Sequence, residues 1–209
     1  MAKKLVFWLL GGSCSGKTTQ HRLLLKNLSD VTDGVLIQGQ MKNLTFMYTK
    51  FGNVATLGKI GQNQCTGIDS VYSKLGADGV ALSLKMALED KDIDFIIVEC
   101  LFSTMKWLTR WDKLDLRLKM NLLVVHLSFS EWDNYKRLCQ RRAKKEGKKE
   151  WWEIDITNNT ILRVGSKNRE NEVIYRKLEG LVEDRIQVQA TLSEIKIQEQ
   201  ILNFIQKNL

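Results

Sequence analysis

The chain lacks proline and contains only two histidines and four cysteines. Without proline, its turns must be made by glycine, asparagine and aspartate. The cysteines form no C-x-x-C pair, and reduced thiols in a cytoplasm are the simpler interpretation. They are Cys14, Cys65, Cys100 and Cys139. His21 and His126 are far apart in the sequence, so we do not expect a structural zinc site.

No hydrophobic stretch approaches the length of a membrane span. The first apolar run, residues 5–10, is also short for the core of a signal peptide. We therefore expect a soluble cytoplasmic protein with no membrane partner, in the host cytoplasm if the chain is viral. A chain of 209 residues can bury roughly 70% of its unfolded surface as one domain. Because it shows no repeat, low-complexity tract or linker, we predict a single domain over residues 1–209.

Positive charge is in surplus. The 32 lysine and arginine residues outnumber the 24 aspartate and glutamate residues, which gives a net charge of +8. This balance indicates an anionic partner: a nucleotide, a nucleic acid or both. The alternative is a basic surface that is only solvated.

The first apolar run breaks on glycine and is followed by the spacing G-x-x-x-x-G-K-[ST]. In this pattern, small residues let successive backbone N–H groups turn toward a phosphate, and the next helix presents its positive end to the same anion. Lys17 would reach the β- and γ-phosphates, and the Thr18 hydroxyl would bind Mg²⁺. The predicted phosphate loop, a nucleoside triphosphate site, consists of Gly11, Gly12, Ser13, Cys14, Ser15, Gly16, Lys17, Thr18 and Thr19.

Apolar segments alternate with amphipathic ones along the rest of the chain. This alternation predicts a parallel sheet with helices on both faces, and ligands in such sheets bind at the carboxyl ends of the strands. The predicted strands are 35–38, 94–101, 121–127 and 185–191, with a hairpin around 46–57. The predicted helices are 20–28, 79–89, 107–119, 131–146, 168–182 and 192–207, the last with Leu192, Ile195, Leu202 and Ile205 facing the core. Residues 58–67 and 147–165 are predicted to be irregular.

Two acidic residues are candidates for the chemistry. Glu99 ends an apolar strand and would hold Mg²⁺ beside the phosphate loop or orient an attacking group; otherwise it is a solvated carboxylate. Asp69 follows a glycine-rich segment. It is either a general base for an acceptor hydroxyl or the N-cap of a helix.

The helix predicted at 131–146 is strongly basic. Arg137 and Arg141 are four residues apart and share a face, from which they would neutralise charge on a transferring phosphoryl group together with Arg142. The alternative is a solvated charged face. Trp151 and Trp152 follow, and they either stack on a base or anchor this helix to the body.

Two absent features narrow the function. There is no N-K-x-D signature for guanine, so a switch GTPase is not expected. The chain is also too short for the second helical domain of a motor ATPase. A small phosphotransferase remains.

At these residues the sequence resembles the nucleoside and nucleotide monophosphate kinases. The resemblance rests on GGSCSGKTTQ, Glu99, the basic helix and RIQVQAT before the last helix. GKTTQ is similar to thymidylate kinases, but the Asp-Arg-Tyr/His segment with which that family binds its acceptor is missing. The segments GNVATLGKIGQNQCTGIDSVYSKLG and IIVECLFST instead resemble the phage 5-hydroxymethyluracil DNA kinases, which modify bases already in DNA. This resemblance implies that Lys59, Asp69 and the neighbouring loop face the acceptor.

Together these observations predict a three-layer α/β P-loop kinase with ATP and Mg²⁺ as cofactors, the metal being held by Thr18 and Glu99. An acceptor-binding insertion is expected at about 40–75 and a basic lid at about 131–165. The first expected acceptor is 5-hydroxymethyluracil in DNA; the alternative is a deoxynucleoside monophosphate. A protein that binds ATP and nucleic acid without catalysis is the remaining alternative. The sequence leaves the oligomeric state open.

Overall fold

The chain alternates strands with helices, as the sequence predicts. The computed structural model describes residues 3–12, 14–41, 44–60, 65–67, 69–99, 104–154 and 158–209, and of residues 65–67, 69–75 and 158–164 the backbone only. The described strands are β1 (Lys4–Gly11), β2 (Val35–Met41), β3 (Leu44–Phe51), β4 (Val54–Leu57), β5 (Lys59–Ile60), β6 (Cys65–Gly67), β7 (Phe95–Glu99), β8 (Met120–Ser128) and β9 (Asp184–Gln189). The described α-helices are α1 (Lys17–Leu28), α2 (Asp69–Glu89), α3 (Lys106–Lys113), α4 (Glu131–Glu146), α5 (Asn158–Lys177) and α6 (Glu194–Lys207). Two 3₁₀ helices cover Leu116–Lys119 and Trp151–Glu153.

Seven of these strands form one sheet in the order β2-β3-β4-β7-β1-β8-β9. The neighbours from β4 to β9 in this order pair in parallel, and β3 is antiparallel to both β2 and β4. The predicted parallel sheet is therefore confirmed except at β3. That strand is reversed by the predicted hairpin turn, where Gly52 has a φ of +57°. The carboxyl ends of the five parallel strands meet at one edge, which carries Gly11, Glu99 and Ser128.

Helices cover both faces of the sheet and form the predicted three layers. On one face, α2, α3 and α5 pack over β1, and the indole of Trp8 stacks on Trp107 with ring centroids 5.3 Å apart. On the other face, α1 and α6 cover Phe7 and Leu9. Since β1 is buried on both faces, its sequence is a continuous apolar run without alternating polar residues. No described helix is both long and apolar enough to cross a bilayer.

Several predicted helix bounds were wrong. α5 begins at Asn158 rather than near 168, so residues 147–165 are not irregular throughout. A glycine within a helix costs only about 1 kcal/mol, and the buried Gly165 is accommodated because α5 packs against β8 and β1. The helix predicted at 107–119 ends at Lys113, since Asp115 adopts a φ of +53° before the 3₁₀ turn.

The orientation of α6 corrects one predicted core residue. Ile195 was expected to face the core but is 71% exposed. The buried face of α6 instead carries Ile197, Ile201, Phe204 and Ile205. Two residues of α-helix rotate the chain by about 200°, so Ile195 lies on the opposite side from Ile197.

The predicted acceptor insertion at 40–75 is partly built into the main sheet. Its first half forms β3 and β4, and β4 pairs in parallel with β7. The segment predicted to be irregular at 58–67 contains the antiparallel pair β5–β6, in which Lys59 is opposite Gly67. Because β4 ends at the same edge as β7, this pair begins at the carboxyl edge of the sheet.

Candidate functional site

The loop after β1 is tightly folded against the carboxyl edge of the sheet. Gly11 has a φ of +154°, and a Cβ at this position would lie 2.5 Å from Ser15 Oγ and 2.9 Å from the carbonyl oxygen of Leu127. Only glycine fits such an approach. Ser13 lies outside the described residues, while Cys14 is half-buried with a φ of +64°.

Lys17 is buried within this loop at the start of α1. Its Nζ donates to the carbonyl oxygens of Gly11, at 2.7 Å, and Gly12, at 2.8 Å. The first turn of α1 contains no acidic residue, and Gly16 before it has no side chain with which to cap the helix. The positive end of α1 and the Lys17 ammonium therefore converge on the loop, an arrangement that favours an anion.

Glu99 lies directly beside α1, because β7 is the neighbour of β1. The Thr18 hydroxyl donates to Glu99 Oε1 at 3.2 Å. Nδ1 of the fully buried His21 lies 3.2 Å from Glu99 Oε2. The Glu99 residue is only 8% exposed. The structure thus brings together both residues predicted to hold the metal.

Of the three predicted lid arginines, Arg137 reaches the loop. It donates to the carbonyl oxygen of Cys14 at 3.5 Å and to that of Ala190, which follows β9. Arg141 is exposed one turn further along α4. Arg142 is half-buried and lies about 140° around the helix axis from Arg137, so it is not on the side that faces the loop.

A cleft of about 260 Å³ opens beside Gly12 between β8, α4 and α5. Its lining includes Ser128, Ser130 and Asn168. Both polar atoms of the Asn168 amide are buried and have no hydrogen-bond partner among the described residues. A Cβ on Gly12 would lie 1.4 Å from Asn168 Oδ1, so α5 rests directly on the loop backbone.

His126 lies under the same cleft and is almost fully buried. Its Nδ1 is 3.5 Å from a Glu172 carboxylate oxygen, and its ring stacks on Tyr175 at 5.1 Å between centroids. Burial lowers the pKa of His126 to about 4; Glu172 opposes this shift, and the positive charge of Lys17 adds to it. The imidazole is therefore neutral near pH 7, and its contact with Glu172 is not an ion pair.

The predicted acceptor-side residues and the tryptophans after α4 lie in different surroundings. Asp69 is the first residue of α2, but its side chain lies outside the described residues, so both alternatives for it stay predictions. Lys59 is exposed in β5. Trp151 packs with Cys139, Ala143 and Ile154, which favours the anchoring alternative for this residue, whereas Trp152 is 65% exposed.

Sequence reasoning missed His21 and Asn168. His21 is three residues after Thr18, a spacing that places both side chains on one helix face, and this signal was available in the sequence. Asn168 had no such signal. It is 156 positions from Gly12 in the sequence, and only the packing of α5 on the loop joins them.

No protein-family model and no curated protein sequence matches the chain. Among solved structures, it is similar to the deoxyadenosine kinase from M. mycoides with bound dATP, at 14% identity and a TM-score of 0.48. The same kinase with bound dCTP gives 14% identity and a TM-score of 0.46. Both alignments cover 97% of this chain and 100% of the other. Similarity of this strength assigns no activity to the chain.

Proposed function

We propose that the chain is a P-loop kinase that transfers the γ-phosphoryl group of ATP to a hydroxyl on a nucleotide-type acceptor. One observation carries this proposal. The buried Lys17 ammonium, the open N-terminus of α1 and the Thr18–Glu99 pair all meet at the carboxyl edge of the sheet. A phosphate-binding loop beside a pair of oxygen ligands is the arrangement that phosphoryl transfer requires.

The residues present fit a magnesium ion. Thr18 Oγ1 and Glu99 Oε1 are 3.2 Å apart. This separation is close to the roughly 3 Å expected between adjacent ligands of an octahedral ion with bonds of 2.0–2.1 Å. Both are the hard oxygen donors that Mg²⁺ prefers, and His21 fixes the other carboxylate oxygen. When bound, the ion would neutralise charge on the β- and γ-phosphates.

Side chains and backbone amides of the chain would bind the phosphates, stabilise the transferring group and accept the proton. The amides at the start of α1 and Lys17 would bind the phosphates, and Arg137 would stabilise charge on the transferring group from above the loop. The acceptor oxygen would form a bond to the γ-phosphorus as the bond to the bridging oxygen of ADP breaks. A carboxylate takes the proton of the acceptor hydroxyl, and Asp69 is our candidate for it.

Our first acceptor is the hydroxymethyl group of 5-hydroxymethyluracil in DNA, with a deoxynucleoside monophosphate as the alternative. Two observations support a nucleic acid. The segment that begins at Lys59 starts at the carboxyl edge of the sheet, the edge that also carries the loop after β1. The basic residues of α4 continue well beyond Arg137, which already reaches the loop.

The test uses purified protein, γ-labelled ATP and Mg²⁺ with three acceptors in parallel. These are a panel of deoxynucleoside monophosphates, unmodified duplex DNA and the same duplex containing 5-hydroxymethyluracil. Label on the modified duplex alone is the expected result. Label on a mononucleotide would establish the alternative acceptor. ATP binding with no labelled product would leave a non-catalytic binding protein and overturn the proposal. In a further arm, Asp69→Asn should slow turnover, and unchanged turnover would reduce Asp69 to a helix cap.

A further inference from the structure

Four aromatic side chains form a continuous cluster on α4 and the 3₁₀ helix that follows it. Trp132 is 5.7 Å from Tyr135 and 6.0 Å from Trp151, and Trp151 is 5.8 Å from Trp152, between ring centroids. We call this cluster the aromatic patch. Its two ends are open, since Trp132 is 61% and Trp152 65% exposed. Exposed indoles so close together indicate a binding surface.

The patch is held rigidly at its centre. Trp151 packs on the small core formed by Cys139, Ala143 and Ile154, and the Lys136 ammonium lies 6.0 Å from the centroid of its ring. Consequently the two exposed indoles project from a packed part of the structure. Little ordering entropy is then lost when a planar ligand stacks on them.

The segment that carries this patch, residues 132–152, is strongly basic, with eight lysine and arginine side chains and three acidic ones. Residues 136–149 contain eight lysine and arginine side chains and one glutamate, a net charge of +7, compared with +8 for the whole chain. Lys144, Lys145, Lys148 and Lys149 are exposed. Within the part of the chain that the structure describes, no carboxylate pairs with their ammonium groups. A triphosphate bound with a divalent ion needs only a few of these charges, so the surplus fits a polyanion.

The geometry of α4 turns Trp132 away from the loop between β1 and α1. Trp132 is five residues before Arg137, which places it about 140° around the helix axis from the arginine that contacts the loop. Lys144 and Lys145 are about 11 Å further along the axis than Arg137, and Lys144, seven residues on, lies within about 20° of the side that carries Arg137. A ligand that contacts Trp132 as well as these lysines must therefore extend both around and along α4.

We infer that the aromatic patch and the lysines of 144–149 bind single-stranded nucleic acid, with bases stacked on Trp132 and Trp152 and phosphates paired with the lysines. A single strand is favoured because its base faces are free to stack on the indoles, whereas a duplex must first open around the modified base. The inference rests on the proposed function and gives it a substrate class: the acceptor is one nucleotide of a strand that this surface holds.

The test is the binding of a dye-labelled thymidine oligonucleotide, followed by fluorescence anisotropy without ATP. Each lost stack should weaken binding at least about 10-fold, and the double variant Trp132→Ala/Trp152→Ala loses two stacks. Its matched control is Leu118→Ala/Ile195→Ala, which removes two apolar side chains that are 73% and 71% exposed elsewhere on the chain. The control should bind like the unmodified protein.

Salt dependence separates stacking from charge. Lys144→Gln/Lys148→Gln should reduce the slope of log affinity against log salt by about 1.4, since each phosphate contact on a single strand contributes about 0.7. The tryptophan variant should leave this slope unchanged. The matched control is Lys26→Gln/Lys196→Gln, at two exposed lysines outside 131–153. It should change the salt slope and the affinity much less than Lys144→Gln/Lys148→Gln does.

The failure of this inference is distinguishable from failure of the proposed function. Unchanged affinity in the tryptophan double variant would overturn the surface, even if the enzyme phosphorylates DNA. A change of oligomeric state in that variant by light scattering, with DNA binding unaltered, would assign the patch to a second copy and likewise overturn it. If the unmodified protein transfers phosphate to no acceptor but the tryptophan double variant still loses DNA binding, the binding surface is supported and only the proposed kinase activity is overturned.

Discussion

Asn168 and Gly12 are in direct contact, and the contact leaves no room for a side chain at position 12. A Cβ on Gly12 would lie 1.4 Å from Oδ1 and 2.6 Å from Cγ of Asn168. Helix α5 therefore closes one side of the phosphate loop, while α1 forms the other.

This contact predicts a coupled pair of substitutions. Gly12→Ala should lower the thermal midpoint and weaken ATP binding, because the new methyl group displaces Asn168 and α5 from the loop. Asn168→Ala removes the clashing atoms, so adding it should restore much of the lost stability. The measurement is a double-mutant cycle by thermal unfolding, with an expected coupling of about 1–3 kcal/mol. Additive effects would show that the loop and α5 do not touch in solution.

Lys17→Ala should abolish phosphoryl transfer without unfolding the protein. The ammonium donates to the backbone carbonyl oxygens of Gly11 and Gly12 and would bind the phosphates that bear the developing charge. Losing such a group costs about 10²–10³-fold or more in kcat. The control is Lys26→Ala, at an exposed position of the same helix. Full transfer by Lys17→Ala, with circular dichroism unchanged, would refute the assignment of the site.

Glu99→Gln should raise the Mg²⁺ concentration needed for half-maximal activity. The amide retains the size of the carboxylate and an oxygen near Thr18, but it loses the charge that favours a divalent ion. Titrations of activity against Mg²⁺ at saturating ATP measure the effect, which we expect to be at least about 10-fold. His21→Ala should produce a smaller shift in the same direction, since it removes only support for the carboxylate. An unaltered Mg²⁺ requirement in Glu99→Gln would exclude it as a ligand.

Arg137→Ala and Arg141→Ala should behave differently. Arg137 contacts the loop, so its loss should reduce kcat by about 10³-fold or more if it stabilises the transferring group. Arg141 is exposed one turn away and serves as the matched control. Steady-state kinetics and thermal unfolding are both needed. A lower melting temperature with kcat intact would mean that Arg137 only joins α4 to the loop and to Ala190.

The low pKa of His126 predicts loss of stability in acid. In the folded protein its pKa is about 4, compared with 6.5 as the ordinary value, so the unfolded chain binds the extra proton first. Its contribution is fully present above about pH 6.5 and is lost as the pH falls toward 4, up to about 3 kcal/mol. Urea unfolding from pH 7 to pH 4 measures it. His126→Phe should have a shallower dependence than the unmodified protein, and equal slopes would contradict the assignment.

Much of the architecture was predictable because its signals are local. The apolar run of β1 followed by the spaced glycines located both the central strand and the loop. An acidic residue at the end of a second apolar run indicated Glu99 as a candidate. These patterns hold because a strand buried on both faces tolerates few polar residues. The bounds of α5 were missed because Gly165 is an unfavourable helix residue by itself, and packing against β8 and β1 overrides that preference.

By itself, the sequence determined the layered sheet, the glycine-rich loop between β1 and α1 and the concentration of positive charge in 136–149, since each follows from residue type and spacing. Only the tertiary structure decided which side chains surround the loop. Strand order placed β7 beside β1 and so brought Glu99 to Thr18, and the rotation of α4 turned Arg137 toward the loop and Trp132 away from it. The same packing pressed Asn168 on Gly12 and buried His126 under α5. Contacts between residues distant in the chain depend on how whole elements pack, and no local pattern records that.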